Sequence, residues 1–160
     1  MKTFLRWVLL TALLVGTTDL IAAYVDQYIK TGKFADRMLY YIAGGALGLE
    51  RSMQGGFWIG LLGLAFHYFI AFSFTLLFFL AFPRLKFLFL NKYLVGLLYG
   101  LFVGAFMSFI VLPLTRLPPM SFSLQKALVG WAILGVVLGI PIAMSAHKFY
   151  SSKDVTSHGS

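Results

Sequence analysis

The sequence predicts an all-α integral membrane protein: a four-helix bundle with an interfacial or re-entrant helical segment between spans one and two. Of 160 residues, 60% are hydrophobic and only 11% are charged, and the mean hydropathy is +0.88. So few charged residues cannot cover the surface of a water-soluble domain of this size. The apolar residues also form four runs of roughly 20 residues or more, the length that a helix needs to cross a bilayer.

The four predicted spans cover residues of about 5–25, 57–82, 93–114 and 124–146. Helices are predicted because they satisfy every backbone hydrogen bond internally, as lipid requires. Basic residues and prolines lie at the ends of these runs, as is typical of membrane boundaries and helix ends.

The connection between the first two spans contains an apolar stretch from Met38 to Leu49 that is too short to span. We predict an interfacial or re-entrant helix at about 34–50, packed on the bundle. Residues 1–150 then form one transmembrane helical domain. The polar tail at 151–160 is predicted to be disordered.

The net charge of +8 is attributed to Lys and Arg at lipid headgroups, so no nucleic-acid partner is expected. The absence of cysteine excludes disulfides, iron–sulfur clusters and thiol catalysis. The basic start also fits a cleaved signal peptide, although the apolar run continues past Asp19 and the cleavage pattern is poor. A small excess of Lys and Arg favours both termini in the cytoplasm.

Small residues recur at intervals of about four in the predicted spans, a spacing that lets helix backbones approach closely in lipid. The glycines predicted to pack helices are Gly56, Gly60, Gly63, Gly96, Gly100, Gly104, Gly135 and Gly139. Pro141 is predicted to kink the fourth span, because its ring disrupts the helical bond to the carbonyl of Val137.

Four polar side chains, one from each span, are predicted to form a buried layer: Asp19, His67, Ser108 and Trp131. Antiparallel threading displaces all four toward the same membrane face. A charge at this depth is costly, so Asp19 should be partnered, protonated or in a wet cavity. Two interpretations of Asp19 and His67 stay open, a hydrogen bond that fixes helix register and a pair that titrates or binds a ligand.

The chain resembles a family of small, uncharacterised bacterial inner-membrane proteins with four spans. The resemblance covers residues of roughly 5–146 and implies a multi-pass inner-membrane location, but no activity. It rests on four segments: Gly16-Thr17-Thr18-Asp19, Tyr41-Ile42-Ala43-Gly44-Gly45-Ala46-Leu47-Gly48, Gly60-Leu61-Leu62-Gly63-Leu64-Ala65-Phe66-His67 and Val111-Leu112-Pro113-Leu114.

The leading functional hypothesis is a non-enzymatic membrane partner or assembly factor, because no strong catalytic motif is present. The alternative is a small homo-oligomeric, proton-coupled or solute-permeating carrier that uses Asp19 and His67. An intramembrane hydrolase built on Ser108 is disfavoured, since neither a strained nucleophile turn nor oxyanion donors surround it. No cofactor or metal is expected, and the expected partners are the lipid bilayer and a second copy or another membrane protein.

Overall fold

The structure is a computed structural model that describes residues 2–34, 37–85, 88, 91–118 and 123–157, with side chains as far as Ser152. These residues form an all-α bundle without strands, which confirms the predicted fold class. The helices are α1 (Lys2–Thr31), α2 (Met38–Leu47), α3 (Leu49–Met53), α4 (Phe57–Ala81), α5 (Lys92–Phe106), α6 (Leu112–Leu114), α7 (Leu124–Leu134) and α8 (Ile140–Ser157).

Three short turns of different pitch extend or join these helices. A 3₁₀ turn, Phe82–Arg84, continues α4. The π-helical turn Met107–Val111 joins α5 to α6, and the π-helical turn Gly135–Gly139 joins α7 to α8. The helices α5 and α6 therefore form a continuous third span, and α7 and α8 form a continuous fourth span.

Four of the described helical segments are long and apolar enough to cross a membrane: Lys2–Thr31, Phe57–Arg84, Lys92–Leu114 and Leu124–Ser152. In each, only 28% of the most apolar part is buried within the protein. Most apolar side chains therefore face outward, as expected when lipid rather than water surrounds a helical bundle.

Both terminal helices are longer than the sequence predicts. The first helix, α1, ends where Gly32 adopts a left-handed conformation with φ +66° and its N–H binds the carbonyl of Tyr28. The last helix, α8, runs to Ser157, well into the tail predicted to be disordered from 151. No glycine or proline interrupts 151–157, so the helix continues; the rest of that tail lies outside the described residues.

The bundle is antiparallel, with α1 packed against α4 and the fourth span, and α5 packed against the fourth span. Aromatic side chains fill one end, where Phe4 lies edge-on to Phe79 and Phe149. The Tyr150 hydroxyl donates a 2.7 Å hydrogen bond to the Phe79 carbonyl there. This end is a close-packed core, since Phe79 is fully buried and Phe149 nearly so.

Glycines bring α5 and the fourth span into backbone contact. A Cβ placed on Gly96 would lie 2.5 Å from the Cα of Ile140, and one placed on Gly100 would overlap the backbone of Gly135. Gly104 faces the Trp131 ring in the same way. No larger residue fits at these positions without moving a backbone or a tryptophan.

Not every glycine of the predicted rows packs a helix. Gly56 is the residue before the first turn of α4, is exposed, and would meet nothing within 4 Å if it carried a Cβ. It differs from Gly60 and Gly63, which face Tyr40 and the Leu39 carbonyl of α2. The predicted row of glycines on the second span therefore contacts a neighbouring helix only at positions within α4, and Gly56 lies before its first turn.

Both prolines in the third and fourth spans follow a π-helical turn at the same offset. Pro113 lies two residues after the turn that ends at Val111, and Pro141 lies two residues after the turn that ends at Gly139. A proline ring clashes with the carbonyl four residues earlier, and the wider π turn relieves this clash. The predicted irregularity at Pro141 thus takes the form of a π turn.

The carbonyl four residues before Pro141, that of Val137, accepts a hydrogen bond from another helix. Thr18 Oγ1 of α1 lies 3.0 Å from the Val137 carbonyl oxygen. The same hydroxyl is also 3.1 Å from the carbonyls of Leu14 and Val15 in its own helix, so its single hydrogen is shared among three acceptors. Thr18 therefore ties the first span to the fourth.

We expect Thr18→Val to destabilise the bundle by about 1 kcal/mol, because it removes the donor to the Val137 carbonyl while keeping the side-chain shape. Equilibrium unfolding in mixed micelles measures the loss. In a Pro141→Ala background residue 141 regains an N–H for Val137, so the same substitution should cost less than half as much. An equal cost in both backgrounds would show that Thr18 does not compensate for the missing N–H of Pro141.

Within the segment predicted at about 34–50, the helix α2 and the start of α3 are docked on the bundle, and residues 35–36 lie outside the described residues. A Cβ on Gly63 would overlap the Leu39 carbonyl, so α2 lies directly on α4. On its other side, the Arg116 N–H donates a 2.9 Å bond to the Gly45 carbonyl. Gly48 turns the chain into α3 with φ +88°, a conformation that favours glycine.

Candidate functional site

A cavity of about 270 Å³ lies among α1, α2, α4 and the third and fourth spans, beyond the aromatic end of the bundle. Its wall is mostly apolar, with side chains such as Ile70 and Leu138. The side chains on the wall that can form hydrogen bonds are those of Asp19, Tyr41, His67 and Thr115. A concave apolar site with few polar groups is the usual form of a small-molecule site.

The imidazole of His67 is held in place by the first helix. Its Nε2 lies 2.7 Å from the Gly16 carbonyl oxygen. A carbonyl oxygen can only accept, so Nε2 carries a hydrogen and donates it. In the neutral ring, the remaining nitrogen Nδ1 is therefore an acceptor.

Gly16 and its neighbour Thr17 pack closely against Tyr68, the residue next to His67. Gly16 has no side chain, and a Cβ there would lie 2.8 Å from the ring of Tyr68. The Tyr68 hydroxyl lies 2.8 Å from Thr17 Oγ1. Because Thr17 Oγ1 also lies 2.8 Å from the Leu13 carbonyl and donates to it, Tyr68 is the donor between the two hydroxyls. Gly16 and Thr17 thus fix the orientation of α4 beside the cavity.

Asp19 and His67 both line the cavity wall. Asp19 is half-buried. Across the described part of the chain, no hydrogen bond or ion pair to its carboxylate is formed. By contrast, Asp26 on the same helix forms a 2.6 Å ion pair with Lys30 at an exposed position. Asp19 thus lies on the cavity wall without a hydrogen-bonded or ion-paired partner among the described residues.

The predicted polar layer is divided into two pairs. Asp19 and His67 share the cavity wall, whereas Trp131 Nε1 donates a 3.1 Å hydrogen bond to Ser108 Oγ elsewhere between the third and fourth spans. Ser108 and Trp131 are not among the described residues that line the cavity. Their hydrogen bond satisfies two polar groups at the point where Gly104 packs against the tryptophan.

Two polar residues of the wall were not singled out from the sequence. Tyr41 comes from α2, and Thr115 comes from the end of the third span. The spacing of these two residues in the sequence does not indicate a site, because they come together only when α2 docks on the bundle. Gly45 of α2 lies beside Thr115, whose Cγ2 would be 3.4 Å from a Cβ on the glycine, an ordinary van der Waals distance.

The fold and the cavity define a class: a multi-pass helical membrane protein with an acid and an imidazole on one internal cavity. No group of three or more His, Cys, Asp or Glu residues that could hold a metal occurs in the ranges that the structure describes. No protein-family model, curated protein or solved structure matches the chain.

Proposed function

We propose that the protein is a small membrane carrier that binds a solute in the cavity and couples its movement to a proton through Asp19 and His67. The observation that supports this proposal is that Asp19 and His67 line the same cavity. Asp19 and His67 are the only acid and the only imidazole within the four apolar runs, and they come from helices separated along the chain. The proposed location is a bacterial inner membrane with both termini in the cytoplasm.

The cost of a carboxylate in a membrane supports a functional role for Asp19. Such a group costs about 2.5–3.5 kcal/mol on insertion scales, and a purely structural role would offset this cost with a hydrogen-bonded partner. The described residues supply His67 as a neighbour but no such bond. Intramembrane acids that face a cavity are typical of ion and substrate paths.

The cavity lies within one chain, so the proposed site does not need a second copy to form it. A homo-oligomer stays a prediction, as does the role of a non-enzymatic partner or assembly factor, on which no contact in the structure bears. Of the two hypotheses, the carrier has the specific support of a cavity with an acid on its wall.

Proton entry into liposomes, with a mixture of small amines, amino acids and sugars added outside, tests the proposal before the solute is identified, because a coupled carrier moves protons only together with its solute. Purified protein is reconstituted with a pH-sensitive dye inside the vesicles, and acid is added outside. We expect the parent protein to admit protons at least about tenfold faster than Asp19→Asn or His67→Ala, because neither variant keeps both titrating groups.

Ser73→Ala is the matched control. Ser73 is exposed on α4, and its hydroxyl donates only to the Phe69 carbonyl of its own helix, so this variant should match the parent. Circular dichroism and unfolding of each variant establish that the fold is kept. Equal proton entry in the parent, Asp19→Asn and His67→Ala would reject proton coupling through this pair.

A further inference from the structure

We infer that the ligand of the cavity is a small organic ammonium ion with an apolar body. This inference rests on the proposed function and deepens it by naming the chemical class of the solute. The argument depends on which hydrogen-bonding groups of the wall can donate, which can only accept, and what surrounds them.

Apart from the Tyr41 hydroxyl, the polar groups of the wall present acceptors to the cavity. An ionised Asp19 carboxylate has no hydrogen to donate. The hydrogen on His67 Nε2 is already given to the Gly16 carbonyl, which leaves Nδ1 as an acceptor in the neutral ring. The Thr115 hydroxyl donates to the Leu112 carbonyl at 2.7 Å. A ligand that complements these groups must bring its own N–H or O–H donors.

The charged side chains on the cavity wall favour a cationic ligand over a neutral one that also carries N–H or O–H donors. None of the described residues that line the cavity is Lys or Arg, and its one acid, Asp19, forms no ion pair within the described ranges. An ammonium group would supply both the opposite charge and the donors that Asp19 and His67 lack. Charge-assisted hydrogen bonds of this kind are the strong ones in a poorly hydrated site.

Aromatic and aliphatic surfaces around the acid fit the rest of such a ligand. The rings of Tyr41 and Phe74 both line the cavity, and the faces of aromatic rings attract organic cations. The remaining wall is almost entirely aliphatic, so the body of the ligand must be apolar. A volume of about 270 Å³ lies just below the usual range for drug-sized ligands, so the molecule must be small.

Three probes of nearly equal size and different charge test the inference: benzylammonium, benzyl alcohol and benzoate. Binding to the purified protein in detergent is measured by calorimetry at neutral pH. We expect benzylammonium to bind at least about tenfold more tightly than either of the other probes. Asp19→Asn should abolish this preference, Asp19→Glu should restore it in part, and Ser73→Ala should keep it.

The outcomes separate this inference from the proposed function. Tighter binding of benzoate, equal binding of all three probes, or no binding of benzylammonium would each overturn the ammonium assignment. The proton-entry assay then decides the proposed function independently, because its solute mixture also contains neutral and anionic compounds. If Asp19→Asn does not fold, the order of the three probes on the parent protein still decides the inference.

Discussion

Gly100→Leu should destabilise the protein by about 3 kcal/mol, the upper end of the usual range for overpacking. A Cβ on Gly100 would overlap the backbone of Gly135, so the new side chain cannot be accommodated by a change of rotamer. The third and fourth spans must separate instead. Equilibrium unfolding in mixed micelles measures the loss, which should not depend on protein concentration, because the contact lies within one chain.

Gly130→Leu provides the matched control in the fourth span. Gly130 lies within α7, and a Cβ there would meet nothing within 4 Å. Leucine has the higher helix propensity, so this variant should be at least as stable as the parent. If the two substitutions had the same effect, close contact of the backbones at Gly100 and Gly135 would not be what holds these spans together.

Gly63→Ala should loosen α2 from α4, although it adds only one methyl group. The methyl group would overlap the Leu39 carbonyl, a backbone atom that cannot move without the rest of α2. The chain has no cysteine, so a single Ala43→Cys at this fully buried position reports the opening through its reaction with a maleimide. We expect Gly63→Ala to raise the labelling rate about tenfold, which corresponds to about 1.4 kcal/mol.

Gly56→Ala makes the same chemical change at the start of α4, where a Cβ meets open space. Its labelling rate should equal that of the Ala43→Cys protein alone. The loss of α2 should also open the cavity, because Tyr41, Ile42 and Gly45 form one side of its wall. Unchanged labelling in Gly63→Ala would mean that α2 is not seated on α4 as described.

The number and approximate bounds of the spans could be predicted, because the thickness of a bilayer sets the length of apolar run that can cross it. The region shared by Asp19 and His67 followed from antiparallel threading in the same way. The partner of the imidazole did not follow. A shift of one residue rotates a side chain by roughly 100° about its helix, so the sequence could not show that His67 binds the Gly16 carbonyl.

The sequence predicted that the segment at about 34–50 packs on the bundle, but it did not show which residues make the contact. The docking of α2 depends on the meeting of Gly63 with Leu39, which are distant in the chain. The helical state of 151–157 was missed because polar composition was taken as a sign of disorder. A polar composition indicates that a segment prefers water to lipid. The position at which a helix ends depends instead on whether a residue such as glycine or proline interrupts its backbone hydrogen bonds.

The hydrogen bond from Thr18 to Val137 has a consequence for biosynthesis. During translation the first span enters the membrane before the fourth is made, so the Val137 carbonyl gains this hydrogen bond only when the fourth span meets the first. This polar contact between the earliest and the latest of the four spans therefore forms only if the first helix stays nearby.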